Sequence, residues 1–66
     1  MKIYTGDVVG IKIIRKDGKV YKLFMIEYLD DTVDGKAVCS AFCNDEFVLG
    51  DRIQFGFHQG KVIVLK

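Results

Sequence analysis

The chain has no proline, one histidine and two cysteines, and its charges nearly cancel: ten Lys and Arg against nine Asp and Glu give a formal net charge of +1. Each shortage excludes something. A single histidine, His58, leaves no second imidazole for a catalytic or metal-binding pair, and beside a turn it reads as a solvated residue or a stacking surface. Cys39 and Cys43 lie four apart in a strand-like run. Four strand residues span about 13 Å, whereas a disulfide needs Cα atoms within about 7 Å. The two therefore read as reduced thiols filling space like small apolar groups, which fits a reducing compartment such as the cytoplasm. Together with His58 they fall short of the closely paired ligands of a structural zinc site. The small net charge also sets the chain apart from strongly basic nucleic-acid-binding domains.

Long apolar runs are missing too. None approaches the roughly 20 residues of a membrane helix, and Met1-Lys2 leads into Ile3-Tyr4-Thr5-Gly6-Asp7 rather than the apolar stretch of a secretory signal. No membrane partner is expected. There is no internal repeat, linker or low-complexity tract. No phosphate-binding loop, dinucleotide fingerprint or nucleophile elbow appears. Asp30, Asp31 and Asp34 cluster in one loop without the glycine placement and terminal glutamate of a calcium-binding EF-hand. We expect no catalysis, no metal and no cofactor.

What is present is a dense apolar pattern. Half of the 66 residues are hydrophobic, including five Phe and three Tyr, too many for a disordered chain. The length allows one domain, and a domain this small buries only about 60% of its unfolded surface. Its core must be efficient or shared with a second copy. Without proline, glycine does the punctuating: Gly18, Gly35, Gly50 and Gly60 each separate two apolar runs.

Those runs predict five strands. The first spans Val8 to Lys16, and Asp17-Gly18 is the two-residue hairpin signal, since a type I′ turn needs positive φ at both central residues. The second strand is Tyr21 to Leu29, followed by an acidic loop from Asp30 to Gly35. The third is Lys36 to Asn44, with Val38, Ser40 and Phe42 on one face and the small Ala37, Cys39, Ala41 and Cys43 on the other, suited to a crowded barrel interior. Asn44 can cap one helical turn through Asp45, Glu46 and Phe47. Asp51 to Phe57 forms a fourth strand with Ile53, Phe55 and Phe57 aligned by the two-residue period, and Val62 to Leu65 a fifth after the turn at His58 to Lys61. β-branched and aromatic residues dominate, and no segment keeps a 3.6-residue period. Gly6, Gly10 and Gly56 sit where a strand bends or bulges to serve both sides of a barrel. The expected fold is all-β, a small five-stranded barrel of OB type, with an SH3-like barrel as the alternative because the two share strand count and pattern. A barrel also hides the sheet edges.

Charge is unevenly spread. Lys12, Arg15, Lys16, Lys19 and Lys22 crowd the first hairpin, opposed only by Asp17, while Glu27, Asp30, Asp31 and Asp34 make the far end of the second strand acidic. The second strand is apolar on both faces: Tyr21, Leu23 and Met25 on one, Val20, Phe24, Ile26 and Tyr28 on the other. One face must fill the core. The other is exposed or covered by a second subunit. Exposed rings beside cations suit single-stranded nucleic acid, because bases stack on the rings while Lys and Arg hold phosphates. Phosphate contacts are thus expected from Lys12, Arg15, Lys16, Lys19 and Lys22, and stacking from Tyr21, Phe24, Tyr28 and Phe57. The competing expectation is a protein-interaction or self-association module in which these rings complete a core or an interface.

Arg15-Lys16-Asp17-Gly18-Lys19-Val20-Tyr21-Lys22-Leu23 resembles the basic Gly-Lys-x-Tyr-x-Leu hairpin of the small filamentous-phage gene V type single-stranded-DNA-binding proteins. The resemblance implies an OB-type barrel from a phage or mobile element, acting as a homodimer that coats single-stranded DNA, with RNA as the other single-stranded candidate. It assigns base stacking to Tyr21, a neighbouring place on the binding face to Leu23 and a phosphate contact to Lys16. Tyr28 falls one position from that family's second stacking tyrosine, which places it on the opposite face. The chain is also shorter in the middle loops that help form that family's dimer.

Overall fold

Alternation of large apolar residues with polar or small ones, broken at turn-forming glycines, makes each segment extended, with one face turned to a common core. The computed structural model describes residues 1–43 and 46–65. Five strands result: β1 (Ile3–Lys16), β2 (Lys19–Leu29), β3 (Lys36–Phe42), β4 (Arg52–His58) and β5 (Lys61–Leu65). The expected third strand reaches past Phe42, where β3 ends. β1 begins already at Ile3, because its first part pairs with β4, from Ile3 opposite Gly56 to Asp7 opposite Arg52. The expected helical turn starts on Asn44 and Asp45, which lie outside the described residues; Glu46 to Val48 adopt no regular secondary structure. Among the described residues no helix is long and apolar enough to cross a membrane.

All pairings are antiparallel and the order is β3-β2-β1-β4-β5. β1, β2 and β3 follow one another as hairpins, and β4 returns to lie beside β1, the order of a Greek key. The sheet curls so that β3 and β5 approach each other, but they are not neighbours in the hydrogen-bonded order. The expected all-β, five-stranded, barrel-like fold is therefore present, with the ladder left open between β3 and β5. Side chains of both edges reach the same core: Val62 and Val64 of β5 and Ala37 and Cys39 of β3 pack against it.

Both two-residue turns follow one recipe. Asp17 and Gly18 have φ of 52° and 75°, Gln59 and Gly60 of 52° and 76°, matching the positive φ that a type I′ turn demands at both central positions. Gly6 answers a different need. A Cβ there would lie 2.6 Å from Ile26 Cγ2 and 2.9 Å from the Glu27 carbonyl oxygen, so only glycine lets β1 pass this close to β2.

The buried core is Val8, Phe24, Ile26, Tyr28, Ala41, Ile53 and Phe55. Large residues of β2 face small ones of β3 across the ladder: Phe24 opposite Ala41, Ile26 opposite Cys39, Tyr28 opposite Ala37. Aromatic rings provide much of the packing. Tyr4 stacks on Phe55 at 5.6 Å and meets Tyr28 edge-on at 5.1 Å, and Phe24 meets Phe47 edge-on at 5.4 Å. Such offset and edge-to-face arrangements suit the ring quadrupoles.

The register of β1 on β2 slips between Val8 and Gly10, so Val9 is the extra residue of a β-bulge. Inward-facing positions therefore switch from even numbers (Tyr4, Gly6, Val8) to odd ones (Ile11, Ile13). Lys12, Ile14 and Lys16 turn to the outer face, opposite Leu23, Tyr21 and Lys19 respectively. Beyond the bulge the β1–β2 hairpin forms an arm with little of the core beneath it, on which Ile13, Val20 and Tyr21 are exposed. The molecule measures 40 × 26 × 21 Å.

Candidate nucleic-acid interface

Cross-strand partners share a face of a sheet, so the register sorts the expected site residues. Tyr21 and Leu23 lie on the outer face with Lys12, Ile14, Lys16 and Lys19, and with Phe42 and Ser40 of β3. Arg15 pairs with Val20 and Lys22 with Ile13, which puts both cations on the opposite face. Lys22 there faces Glu46, Nζ to Oε1 3.6 Å. The ten expected contact residues are thus split between two sides of the sheet.

Two of the expected stacking rings are corrected outright. Phe24 is 1% exposed and Tyr28 8%, because each fills the space above a small residue of β3, so neither presents a free ring face. Burial also pushes the Tyr28 phenol above its ordinary range. Phe57 retains an exposed portion, yet it belongs to the rim of the core, against Tyr4 at 5.8 Å, Phe55 at 5.7 Å and Tyr28 at 6.1 Å.

The ring that does join Tyr21 is Phe42, absent from the sequence-based set. Tyr21 is 43% and Phe42 65% exposed, and they meet edge-to-face with centroids 6.3 Å apart. The signal for Phe42 was its place on the face of β3 opposite the small residues. Its neighbour across the ladder is Leu23. Three shallow recesses adjoin this pair. One of about 550 Å³ is lined by Ile14, Lys16, Asp17, Tyr21 and Phe42, and one of about 270 Å³ by Tyr21, Lys22, Phe42 and Cys43. A third of about 440 Å³ lies at the β3–β5 gap, between Ser40, Ala41 and Phe42 on one side and Gly60, Lys61 and Val62 on the other. Phe42 is common to all three, and the third brings in Lys61, the first residue of β5, a cation that no local pattern links to the first hairpin.

Charge follows the same division. At the arm end, Lys16 and Lys19 sit directly opposite each other across the turn, and like charges so placed are destabilising. At the other end of the outer face, Asp7 and Glu27 are also opposite each other, but each has a base: Arg52 Nε is 3.2 Å from Asp7 Oδ1 and Lys36 Nζ 3.1 Å from Glu27 Oε1. That end is locally neutralised, whereas Lys12, Lys16, Lys19 and Lys61 have no ion-pair partner among the described residues. The acidic loop is turned to local uses. Asp30 Oδ1 accepts hydrogen bonds from the Thr32 amide at 2.9 Å and hydroxyl at 2.7 Å, which hold its carboxyl below the usual range, and Asp31 pairs with Lys2 at 3.1 Å.

Both cysteines are half-buried. They face inward with Ala37 and Ala41 and pack against the core, and burial pushes the Cys39 thiol up. Among the described residues no cluster of three or more His, Cys, Asp or Glu is arranged to hold a metal ion. No protein-family model, curated protein or solved structure matches the chain.

Proposed function

We propose that this protein is a non-catalytic single-strand nucleic-acid-binding module, with single-stranded DNA as its expected ligand, and that it binds on the outer face of β2 and β3. The observation that carries this reading is the exposed Tyr21–Phe42 pair set among cations that have no ion-pair partner among the described residues. Bases stack on such rings irrespective of sequence, and lysines beside them hold the backbone phosphates. Lys12, Lys16 and Lys19 lie on one side of the rings and Lys61 on the other, so a strand laid over Phe42 meets positive charge at both ends of its path.

The fold supports the same reading. A partly open, five-stranded Greek-key barrel is the OB architecture, which binds oligonucleotides with the face of its second and third strands and with the loops joining strands one to two and four to five. In this chain Lys16 and Lys19 flank the first of those loops and Lys61 follows the second, and those strands carry Tyr21, Leu23 and Phe42. The cross-strand placement of Lys16 and Lys19 also favours an anionic ligand, since a bound phosphate would offset their repulsion.

Fluorescence anisotropy of a labelled oligo-dT strand, titrated at low and moderate salt with a duplex control, tests the proposal. Single-strand binding that weakens with salt is expected: four neutralised phosphates correspond to a slope of log K on log salt near −2.8, at about 0.7 per phosphate on single strands. Absence of binding at low salt, or equal binding to duplex, would overturn it.

A further inference from the structure

Beyond the bulge, β1 has a strand on one side alone. It pairs with β4 from Ile3 to Asp7. The 50–51 backbone extends that edge by one residue: the Val8 amide donates to the Asp51 carbonyl oxygen at 2.9 Å and the Gly50 amide to the Val8 carbonyl oxygen at 2.8 Å. From Gly10 to Lys16 only β2 lies beside β1 among the described residues. Such an edge presents main-chain donors and acceptors to any strand that can lie against it. The outer edges of β3 and β5 instead approach each other, and β2 lacks an outer neighbour only from Lys19 to Lys22. Two kinds of side chain line the open edge. Ile11 and Ile13 are exposed, as are Val48 and Leu49 just before Gly50 at its root. Lys12, Arg15 and Lys16 have no ion-pair partner among the described residues. Aliphatic side chains offer no ring face to a base, so this edge suits a polypeptide rather than a nucleic acid.

We propose that the Gly10–Lys16 edge takes an acidic, aliphatic segment of a partner protein, added in extended form as a third strand of the arm. Strand addition draws affinity from main-chain hydrogen bonds and specificity from alternate side chains. Residues opposite each other across a ladder share a face, so β1 itself dictates what the partner must carry. We take the antiparallel sense of every other pairing in the sheet. The positions facing Lys16 and Arg15 are then acidic, those facing Ile14 and Ile13 aliphatic, the one facing Lys12 acidic and the one facing Ile11 aliphatic. The segment reads Glu-Glu-Val-Val-Glu-Val. Charge also sets the occupant apart from a second copy of the same edge, which would crowd the cations of both edges together with no acid between them. Lysine on an exposed edge is a common guard against such self-pairing, and the same lysines attract a strand of opposite charge.

The test needs no nucleic acid, so its outcome is separate from that of the proposed function. A labelled Glu-Glu-Val-Val-Glu-Val peptide, titrated with the full chain up to millimolar concentration, should gain anisotropy, whereas the charge-reversed Lys-Lys-Val-Val-Lys-Val peptide should not. Amide hydrogen exchange followed by NMR places the peptide: on its addition, exchange should slow at alternate residues between Gly10 and Lys16, those whose amides point away from β2. Arg15→Glu should weaken binding by about tenfold or more, because it sets like charges opposite each other. Its side chain is exposed, so far-ultraviolet circular dichroism should be unchanged. Val38→Glu, on β3, should leave peptide binding as it is. No binding at millimolar concentration, equal binding of the two peptides, or slowed exchange along β3 or β5 in place of β1 would overturn the proposal.

Discussion

Replacing Phe42 by alanine separates binding from folding more sharply than any other substitution in the chain. The ring is 65% exposed and meets the Tyr21 ring at 6.3 Å, so its removal opens no cavity in the core and should change folding stability by no more than about 0.5 kcal/mol. Binding should respond far more strongly. Loss of one stacking ring costs about 1–3 kcal/mol, which at 1.4 kcal/mol per decade is roughly a 5- to 150-fold rise in Kd for oligo-dT. No charge is lost, so plots of log K against log salt for parent and variant should run parallel. Tyr21→Ala should behave similarly. Because the two rings touch, the double variant should depart from additivity by more than about 0.5 kcal/mol. The assay is anisotropy on one oligonucleotide at several salt concentrations, with a thermal melt of each variant. A Phe42→Ala protein that melts like the parent and binds within twofold of it would refute the placement of the site on β2 and β3.

The remaining predictions follow from facing and burial. Lys16→Gln should flatten the salt slope by about 0.7, one phosphate contact on a single strand, whereas Lys22→Gln, on the other face and near Glu46, should leave the slope unchanged; equal effects would contradict the division of cations. Phe24→Ala should destabilise the fold by about 3–5 kcal/mol, read by denaturant titration, and a loss below 1 kcal/mol would mean that the ring is not in the core. Burial raises the Cys39 and Tyr28 pKa values in the folded state, so the folded chain holds protons that the unfolded chain releases near pH 8.5 and 10. Stability should therefore be intact below those values and fall as pH rises through them towards the folded-state values. Tyr28→Phe should remove the upper part of that fall, and an unchanged alkaline melting profile would contradict the assignment.

Much of this fold is legible in local pattern. Asp17-Gly18, the alternation Ile53-Phe55-Phe57 and the small residues of β3 each place a turn or an inward face without outside help. Strand β2 is different. Both of its faces are apolar, so its pattern cannot say whether Tyr21 or Tyr28 is inside; the pairing of Phe24 with Ala41 and of Tyr28 with Ala37 decides it. That register depends on the length and path of the loop after Leu29, a non-local matter. The same limit explains the site. Tyr21, Leu23, Lys12, Lys16 and Lys19 are close in sequence and lie on one face, whereas Phe42 and Lys61 reach the groove only through the Greek-key return and the curl of the sheet. Phe24 and Tyr28 look like stacking rings in one dimension because ring type and neighbouring charge say nothing about depth.

The extra residue at Val9 gives this chain an adjustable aim. Val8 pairs with Ile26 and Gly10 with Met25, so removing Val9 would leave every cross-strand partnership of the arm in place and present the same side chains on the same faces. Only the bend and added twist of the bulge would go, and with them the direction in which the arm leaves the body. A Val9 deletion should therefore fold, while small-angle scattering records a particle whose longest dimension departs from 40 Å. A change of one codon could in this way swing the arm and its Tyr21 relative to Phe42 and the β3–β5 recess without touching their chemistry, which makes reach and composition separately heritable.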